Sequence, residues 1–308
     1  MPINIPSALP ARAALENERI FVMSEDRALE QDIRPLQIAI VNLMPTKIAT
    51  EIQLLRLLSR SPLQIDVTLI KAENHVSKNT AVEHLDRFYT TFSAVKNRKF
   101  DAMIITGAPV EQIPFEEVDY WTELQDIMDY SKRNVFSTMH ICWGAQAALY
   151  HHYGINKVAL PHKVFGVFPH KFLEENNTMF RGFDDTFYVP HSRHTTVPCE
   201  AIRQCGELEV LAESEQAGVC VVMAPKYRQL YVTGHFEYDR ETLALEYFRD
   251  KERGLDIAVP ENYFENDDPQ GNIQVRWRSY ASLFFSNWLN FYVYQDTPYD
   301  INRIGVDI

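Results

Sequence analysis

Several kinds of feature are missing from this chain, and each absence removes a class of function. Its four cysteines, Cys142, Cys199, Cys205 and Cys220, show no CxxC spacing. Neither a zinc site nor a disulfide framework is indicated, so no metal is expected. No apolar run approaches the roughly 20 residues that a membrane span needs. The opening Met1-Pro2-Ile3-Asn4-Ile5-Pro6 lacks a signal peptide's basic flank and long apolar core. The expectation is a cytoplasmic protein with no membrane partner, where a reducing environment disfavours pairing of Cys199 with Cys205. Positive charge is scarce too: 30 Lys and Arg face 42 Asp and Glu, a net charge of -12. That argues against nucleic-acid binding, and an anionic ligand would need its positive groups gathered locally. No P-loop fingerprint, internal repeat, low-complexity tract or obvious linker appears.

What is present is a well-supplied core: 308 residues, 46% hydrophobic and 23% charged, enough for one large domain or two modest ones. Residues 1–35, with Pro2, Pro6, Pro10 and Pro35, read as an N-terminal arm carrying one short helix near 11–19. Leu36-Gln37-Ile38-Ala39-Ile40-Val41-Asn42-Leu43 is apolar enough for a strand buried on both faces. Pro45 suits a first helical turn, and Ile48, Ile52, Leu55 and Leu58 follow at helical spacing. A strand at 65–70, a helix over 83–92, a strand at 100–105, an amphipathic helix over 121–131 and a β-rich run at 135–139 continue the alternation. Over residues 36–154 this indicates a parallel, doubly wound sheet, whose ligands sit beyond the carboxyl ends of the strands. Thr106-Gly107-Ala108-Pro109 and Cys142 both fall at such ends. From about residue 157, short strands at 163–168, 186–189, 208–212, 218–224 and 229–233 point to more antiparallel additions. A helix over 239–253, a loop-like 255–275 and an aromatic-rich helix over 277–294 follow. Residues 36–308 are expected to form a single α/β domain.

Chemistry centres on His140-Ile141-Cys142-Trp143-Gly144-Ala145-Gln146. A β-rich run leads into it, and the helix formers Ala145, Ala147, Ala148 and Leu149 leave it, with a stop near Gly154. A lone cysteine at a sharp strand-to-helix turn is a nucleophile elbow. The free N–H groups and dipole of the following helix favour thiolate over thiol. A free cysteine is more often an inert core residue, so the elbow alone does not decide.

A thiolate nucleophile wants a base and a group to orient that base. Thr233-Gly234-His235-Phe236-Glu237 follows the β-like run before a helix, and residues two apart on an extended segment point the same way. Glu237 beside His235 would fix its tautomer and raise its basicity. For the oxyanion of an acyl transfer, the N–H of Trp143 is one donor. Gly107 or Ala108 supplies the second, because Pro109 has none.

Three blocks in this order, Thr-Gly-Ala-Pro, His-Ile-Cys-Trp-Gly-Ala-Gln and Gly-His-Phe-Glu, resemble the Cys-His-Glu framework of class I glutamine amidotransferases. The chain is still more similar to the homoserine O-acyltransferases of microbial methionine synthesis (the MetA family). That likeness runs through Asn42-Leu43-Met44-Pro45, Arg181-Gly182-Phe183-Asp184-Asp185, Pro190-His191-Ser192-Arg193 and Asn287-Trp288-Leu289-Asn290, nearly the full chain. It implies a class I glutamine amidotransferase-like, flavodoxin-like sheet, with Cys142 carrying the acyl group, His235 accepting the proton and Glu237 as its partner. It also implies Lys163, Ser192 and Arg249 at the amino-acid acceptor, and it aligns Lys47 with a residue associated with the site. Position 111 is tied to the choice of acyl donor; members using succinyl-CoA carry a small residue where Glu111 stands here. Two departures are visible: His140 replaces the elbow glycine of amidotransferases, and Phe236 replaces the proline between their His and Glu.

The expected function is therefore ping-pong transfer of acetyl from acetyl-CoA, a co-substrate and not a bound cofactor, to the γ-hydroxyl of L-homoserine. Family habit implies a homodimer. Succinyl transfer is the nearest rival; a glutamine amidotransferase and a non-catalytic binding module are the others.

Overall fold

The computed structural model describes residues 3–6, 8–18, 22–23, 34–73 and 79–305. In chain order the strands are β1 (Ile3–Asn4), β2 (Val22–Met23), β3 (Leu36–Val41), β4 (Ile65–Lys71), β5 (Tyr89–Thr91), β6 (Phe100–Ile105), β7 (Val135–Ile141), β8 (Val158–Phe172), β9 (Phe187–Thr196), β10 (Glu209–Ser214), β11 (Gly218–Ala224) and β12 (Gln229–Val232). The α-helices are α1 (Pro10–Asn17), α2 (Lys47–Leu58), α3 (Val82–Phe88), α4 (Phe92–Val95), α5 (Trp121–Asn134), α6 (Trp143–Tyr153), α7 (Cys199–Gln204), α8 (Thr242–Glu252) and α9 (Arg278–Asn287). The sheet runs β2-β1-β4-β3-β6-β7-β12-β11-β10-β8-β9, with β5 paired to β4. Pairings from β4 to β12 along this order are parallel, and those from β12 to β9 antiparallel. The expected doubly wound sheet with an antiparallel second half is thus observed. No helix among the described residues is long and apolar enough to cross a membrane.

The central strands are buried on both faces because their alternate side chains feed two different cores. Ile38, Ile40, Ala102 and Ile104 join Leu54 and Leu55 of α2 and Phe284 and Phe285 of α9 on one side. Ala39, Val41, Met103 and Ile105 join Leu124, Ile127 and Met128 of α5 and Ala147 and Ala148 of α6 on the other. Gly154 ends α6 with φ +68°, the left-handed stop that its lack of a Cβ permits.

Several boundaries differ from the sequence reading. The helix expected over 83–92 breaks after Phe88, because Tyr89–Thr91 pairs with β4 and turns the Tyr89 hydroxyl onto buried Glu51 at 2.6 Å. The strand expected at 163–168 is the middle of the much longer β8, and α7 was not foreseen. The aromatic-rich helix is α9 followed by a π-helical stretch, Trp288–Tyr294. The segment before Leu36, expected as an arm, adds β1 to the sheet beside β4 and buries Leu9, Ala11 and Leu15.

One buried acid ties these parts together. Asp101 of β6 is 0% exposed and accepts from both Arg34 terminal nitrogens (2.9 and 3.0 Å), the Gln37 N–H (2.8 Å) and the Thr297 hydroxyl (2.8 Å). Removing such a carboxylate strands a partly buried guanidinium, at a typical cost of about 3 kcal/mol. Asp101→Ala should lower the urea midpoint correspondingly at an unchanged m-value; an unmoved midpoint would show that this junction holds nothing.

Candidate active site

Cys142 links β7 to α6 with φ +51° and ψ -115°, a conformation that L-residues rarely adopt. Its N–H donates to Val232 O at 2.7 Å, and its carbonyl accepts from Ala145 N–H (3.0 Å) and Gln146 N–H (3.1 Å). Gly144 makes the bend feasible: a Cβ there would lie 2.7 Å from Thr106 O. The loop after β6 reaches the same place, since a Cβ on Gly107 would lie 3.3 Å from Cys142 Cβ and 3.7 Å from Trp143 N. The two sequence-predicted oxyanion segments therefore meet around the cysteine, with Ala108 buried beside them.

His235 and Glu237 come from the loop after β12, the strand hydrogen-bonded next to β7. His235 Nδ1 lies 2.6 Å from Glu237 Oε1, Tyr238 stacks on the imidazole at 4.0 Å, and His235 N–H is held by Pro190 O at 2.8 Å. That leaves Nε2 available to the Cys142 sulfur, which is near enough to act on the charge of the ring. Burial disfavours a charged imidazole here, but the Cys142 sulfur and the Glu237 carboxylate outweigh it. They lift His235 well above the usual histidine range.

Lys163, Ser192 and Arg249 also converge, on a residue the sequence reading did not single out. Glu246 Oε1 accepts from Lys163 Nζ at 2.6 Å and Ser192 Oγ at 2.8 Å, with Arg249 Nη2 3.9 Å away. The Arg249 fork closes on Asp250 at 2.6 and 2.9 Å and is 51% exposed. The i, i+3 spacing of Glu246 and Arg249 was the only sequence signal, and surface helices show it often. Lys47 does not join this group. Its amine is buried against Asn42 O (2.6 Å) and Met44 O (3.4 Å), and burial pushes it down to about 8 despite Glu51 nearby. It braces the loop between β3 and α2. That loop is tied onward by Leu43 N–H to Thr106 Oγ1 at 2.8 Å.

Glu111 is hydrogen-bonded, not freely solvated: it accepts from the N–H groups of His194 and Thr195 and from the Thr195 hydroxyl. Arg193, 1% exposed, donates to Thr195 O at 3.0 Å, to Ala217 O, and at 3.4 Å to His191 Nδ1. His191 Nε2 then meets His170 Nε2 at 3.1 Å, and His170 Nδ1 meets Phe168 O at 2.9 Å. A carbonyl at one end and a guanidinium at the other fix both tautomers, so each imidazole is neutral and the chain is satisfied. Burial holds His170 near 3 and His191 far below its usual range. Cys220 joins this pair within 4.8 Å, and Asp129, His151 and His152 form a second such group, the two sets among the described residues shaped to take a metal ion. Hydrogen bonding already accounts for His170 and His191, and burial pushes the Cys220 thiol up to about 12. A cavity of about 420 Å³ borders Glu237 together with Arg56 and Trp277, but touches neither Cys142 nor the Glu246 group.

A model of the family described as homoserine O-succinyltransferase matches residues 2–299. Relatives named homoserine O-acetyltransferase align along almost the whole length. That of Acetivibrio thermocellus is 59% identical over 304 residues, covering 99% of this chain and 100% of its own. That of Desulfovibrio desulfuricans is 58% identical over 305 residues, covering 99% and 97%. Among solved structures, a glutamine amidotransferase from Thermotoga maritima matches with a TM-score of 0.50 at 11% identity, over 83% of this chain and 98% of its own. One from Methylobacillus flagellatus gives 0.50 at 12%, over 84% and 95%. At such identities these bear on the fold alone, which is of the expected amidotransferase-like kind. The family model and the relatives differ over the acyl group and agree on acyl transfer to homoserine. On a match spanning residues 2–299 and relatives at 58–59% identity, this chain belongs to the homoserine O-succinyltransferase family of acyltransferases.

Proposed function

We propose that this chain is a homoserine O-acetyltransferase working through an acyl-thioester on Cys142. The observation that carries the mechanism is the His235–Glu237 pair, with the Cys142 sulfur acting on its ring, beside the Gly107 loop. In the resting pair His235 holds the proton beside the thiolate. The sulfur attacks the carbonyl carbon of acetyl-CoA, and the N–H groups of Trp143 and of Gly107 or Ala108 receive the oxyanion. Collapse breaks the bond to the CoA sulfur, which leaves with the proton from His235. Homoserine's γ-hydroxyl then loses its proton to neutral His235 as its oxygen attacks the acyl carbon. The second collapse releases O-acetylhomoserine and the Cys142 thiolate, and His235 is again protonated. Glu237 orients the ring throughout.

The acceptor is a zwitterion, and the second cluster offers both signs. Lys163, Ser192 and Arg249 suit the carboxylate, while Glu246 suits the ammonium group. Lys47 acts at one remove, by holding the 42–46 loop against Thr106.

Release of CoA with homoserine, set against glutaminase activity, separates this reading from an amidotransferase. Acetyl-CoA alone should add one acetyl mass to Cys142 of the wild type, and Cys142→Ser should lose nearly all transfer. A stable acetyl group elsewhere, with Cys142→Ala still active, would sink the covalent route.

The raised His235 value sets a pH dependence with a definite sign. Stability from its protonated form is complete below the unfolded value near about 6.5. It is lost as pH rises through the higher folded value. Glu237→Gln removes one of the two groups that raise it, so loss should come at lower pH. An imidazole NMR titration checks this, and identical midpoints in the two proteins would remove Glu237 from the role.

Glu246→Ala should raise KM for homoserine by about thirtyfold or more, as a lost largely buried charged contact does, and Arg249→Ala, half exposed, by less, while acetylation of Cys142 by acetyl-CoA persists. Failure of the acylation half-reaction instead would assign these residues to the donor side.

A further inference from the structure

Tyr238, the residue after Glu237, lies between the base and the charged cluster. Its ring stacks on the His235 imidazole at 4.0 Å with 14° between the planes, and its carbonyl accepts from Trp277 Nε1 at 2.8 Å. The half-buried side chain packs against the apolar cluster of Phe165, Leu243 and Tyr247, on the strand and helix that carry Lys163 and Glu246. Burial, then the Glu246 carboxylate, then Cys142, Glu237 and Glu111 push the phenol well above the usual tyrosine range, so it stays neutral. A hydroxyl on which Glu246 and Cys142 both act lies where a substrate joining the cluster to the sulfur must pass. Other buried phenols are already spent: Tyr89 donates to Glu51, Tyr130 to Arg98 O and Tyr263 to Arg240 O. The Tyr238 hydroxyl has no hydrogen-bond partner among the described residues. Glu246 points the same way. Its Oε1 accepts from Lys163 Nζ and Ser192 Oγ, which fills both lone pairs of that oxygen. An ammonium group has three hydrogens to place, and Glu246 offers it Oε2 alone.

We propose that the Tyr238 hydroxyl accepts a hydrogen bond from the α-ammonium group of the acceptor, beside Glu246, and so selects an α-amino alcohol over one without the amine. This rests on the acyl-transfer reading above and adds a residue to its acceptor site. A phenol suits the place because it brings a lone pair without another negative charge, next to a carboxylate and a thiolate that already supply two. Its own hydrogen then turns to Glu246, so that ammonium, phenol and carboxylate close a charge-assisted set. The ring that meets the amine also backs the imidazole. A seated amino-acid head is thereby placed relative to the base that takes the proton of its γ-hydroxyl.

The test is calorimetric binding to Cys142→Ala, which cannot turn over, with and without Tyr238→Phe. The second change removes one oxygen and keeps the ring, so His235 should titrate alike in the two proteins by imidazole NMR. Kd for L-homoserine should rise about tenfold or more, the loss expected for a hydrogen bond to a charged group. L-2-Aminobutyrate, which keeps the amine and lacks the γ-hydroxyl, should weaken by the same factor. 4-Hydroxybutyrate, which keeps the hydroxyl and lacks the amine, should not tell the two proteins apart. An unchanged homoserine Kd overturns the contact. Weaker homoserine with unmoved 2-aminobutyrate would put the phenol at the γ-oxygen and overturn the amine assignment. Weaker binding together with a shifted His235 titration would leave Tyr238 only a support for the base, which also overturns it. If Cys142→Ala binds no homoserine, the acceptor site and this contact fail together. If wild type does not transfer acetyl while homoserine still binds, the reading of the reaction fails and the Tyr238→Phe comparison still decides the contact.

Discussion

The backbone of Cys142 is the constraint on which the site depends. At φ +51° and ψ -115° a residue with a Cβ is strained by about 1–3 kcal/mol and stays there only if its surroundings over-determine it. Val232 O takes its N–H, two N–H groups of α6 take its carbonyl, and Gly144 lies against the Thr106 carbonyl where no larger residue fits. The same arrangement delivers the base. Val232 is paired with Ile141 in parallel register, so the next residues of both strands leave the sheet at one height. His235 follows Val232 by three residues and needs no long excursion to reach the sulfur. Exchanging β12 for any other neighbour of β7 would part Cys142 from His235, so strand order already sets the geometry of the proposed nucleophile and base.

One strand then sets most of what surrounds this centre. In β9 the side chains of His191, Arg193 and Thr195 point into the protein, while Ser192 between them turns to Glu246 on α8. The period of two divides the labour. The inward set carries the His170–His191–Arg193 hydrogen bonds and the contacts to Gln146 and Glu111, and the intervening serine joins the charged cluster with Lys163. Pro190 O, at the start of this run, holds the His235 loop. A displacement of β9 would therefore be felt at the base, at the charged cluster and at Glu111 together.

Much of this was legible in the sequence, and the limits have physical causes. The elements over 36–154 announce themselves through local periodicity and turn residues, and the elbow through small residues around one cysteine. His235 and Glu237 were read as a pair from the two-residue spacing of an extended segment, whereas the structure brings them together across a turn at Phe236–Glu237. Tyr89 was misplaced in a helix because its hydroxyl answers to Glu51, 38 positions earlier. Glu246 and Glu111 look like ordinary solvated acids in sequence; their partners lie 54 and 84 positions away for Ser192 and Thr195. Local pattern locates strands and turns, whereas the ligands of a buried charge are set by tertiary pairing. The family resemblance drew notice to Glu111 alone, and Glu246 went unnoticed.

The division between acetyl and succinyl transfer follows from the same asymmetry between local and distant contacts. In the proposed reaction, attack by Cys142, protonation by His235 and capture of the oxyanion concern only the carbonyl carbon and its immediate bonds, and so cannot tell one thioester from another. Discrimination has to come from the tail, where a methyl group and a carboxylate differ by a full charge. For a tail carboxylate within about 4 Å of Glu111, repulsion at an effective dielectric near 20 is roughly 4 kcal/mol, several hundredfold or more in rate. That figure assumes Glu111 is held in place, because a mobile, solvated acid would swing away and lose most of it. The hydrogen bonds from His194 and Thr195 supply the fixing. In the proposed reaction, an acid that reads as a loose loop residue in the sequence would thus draw its electrostatic leverage from a strand 84 residues further on.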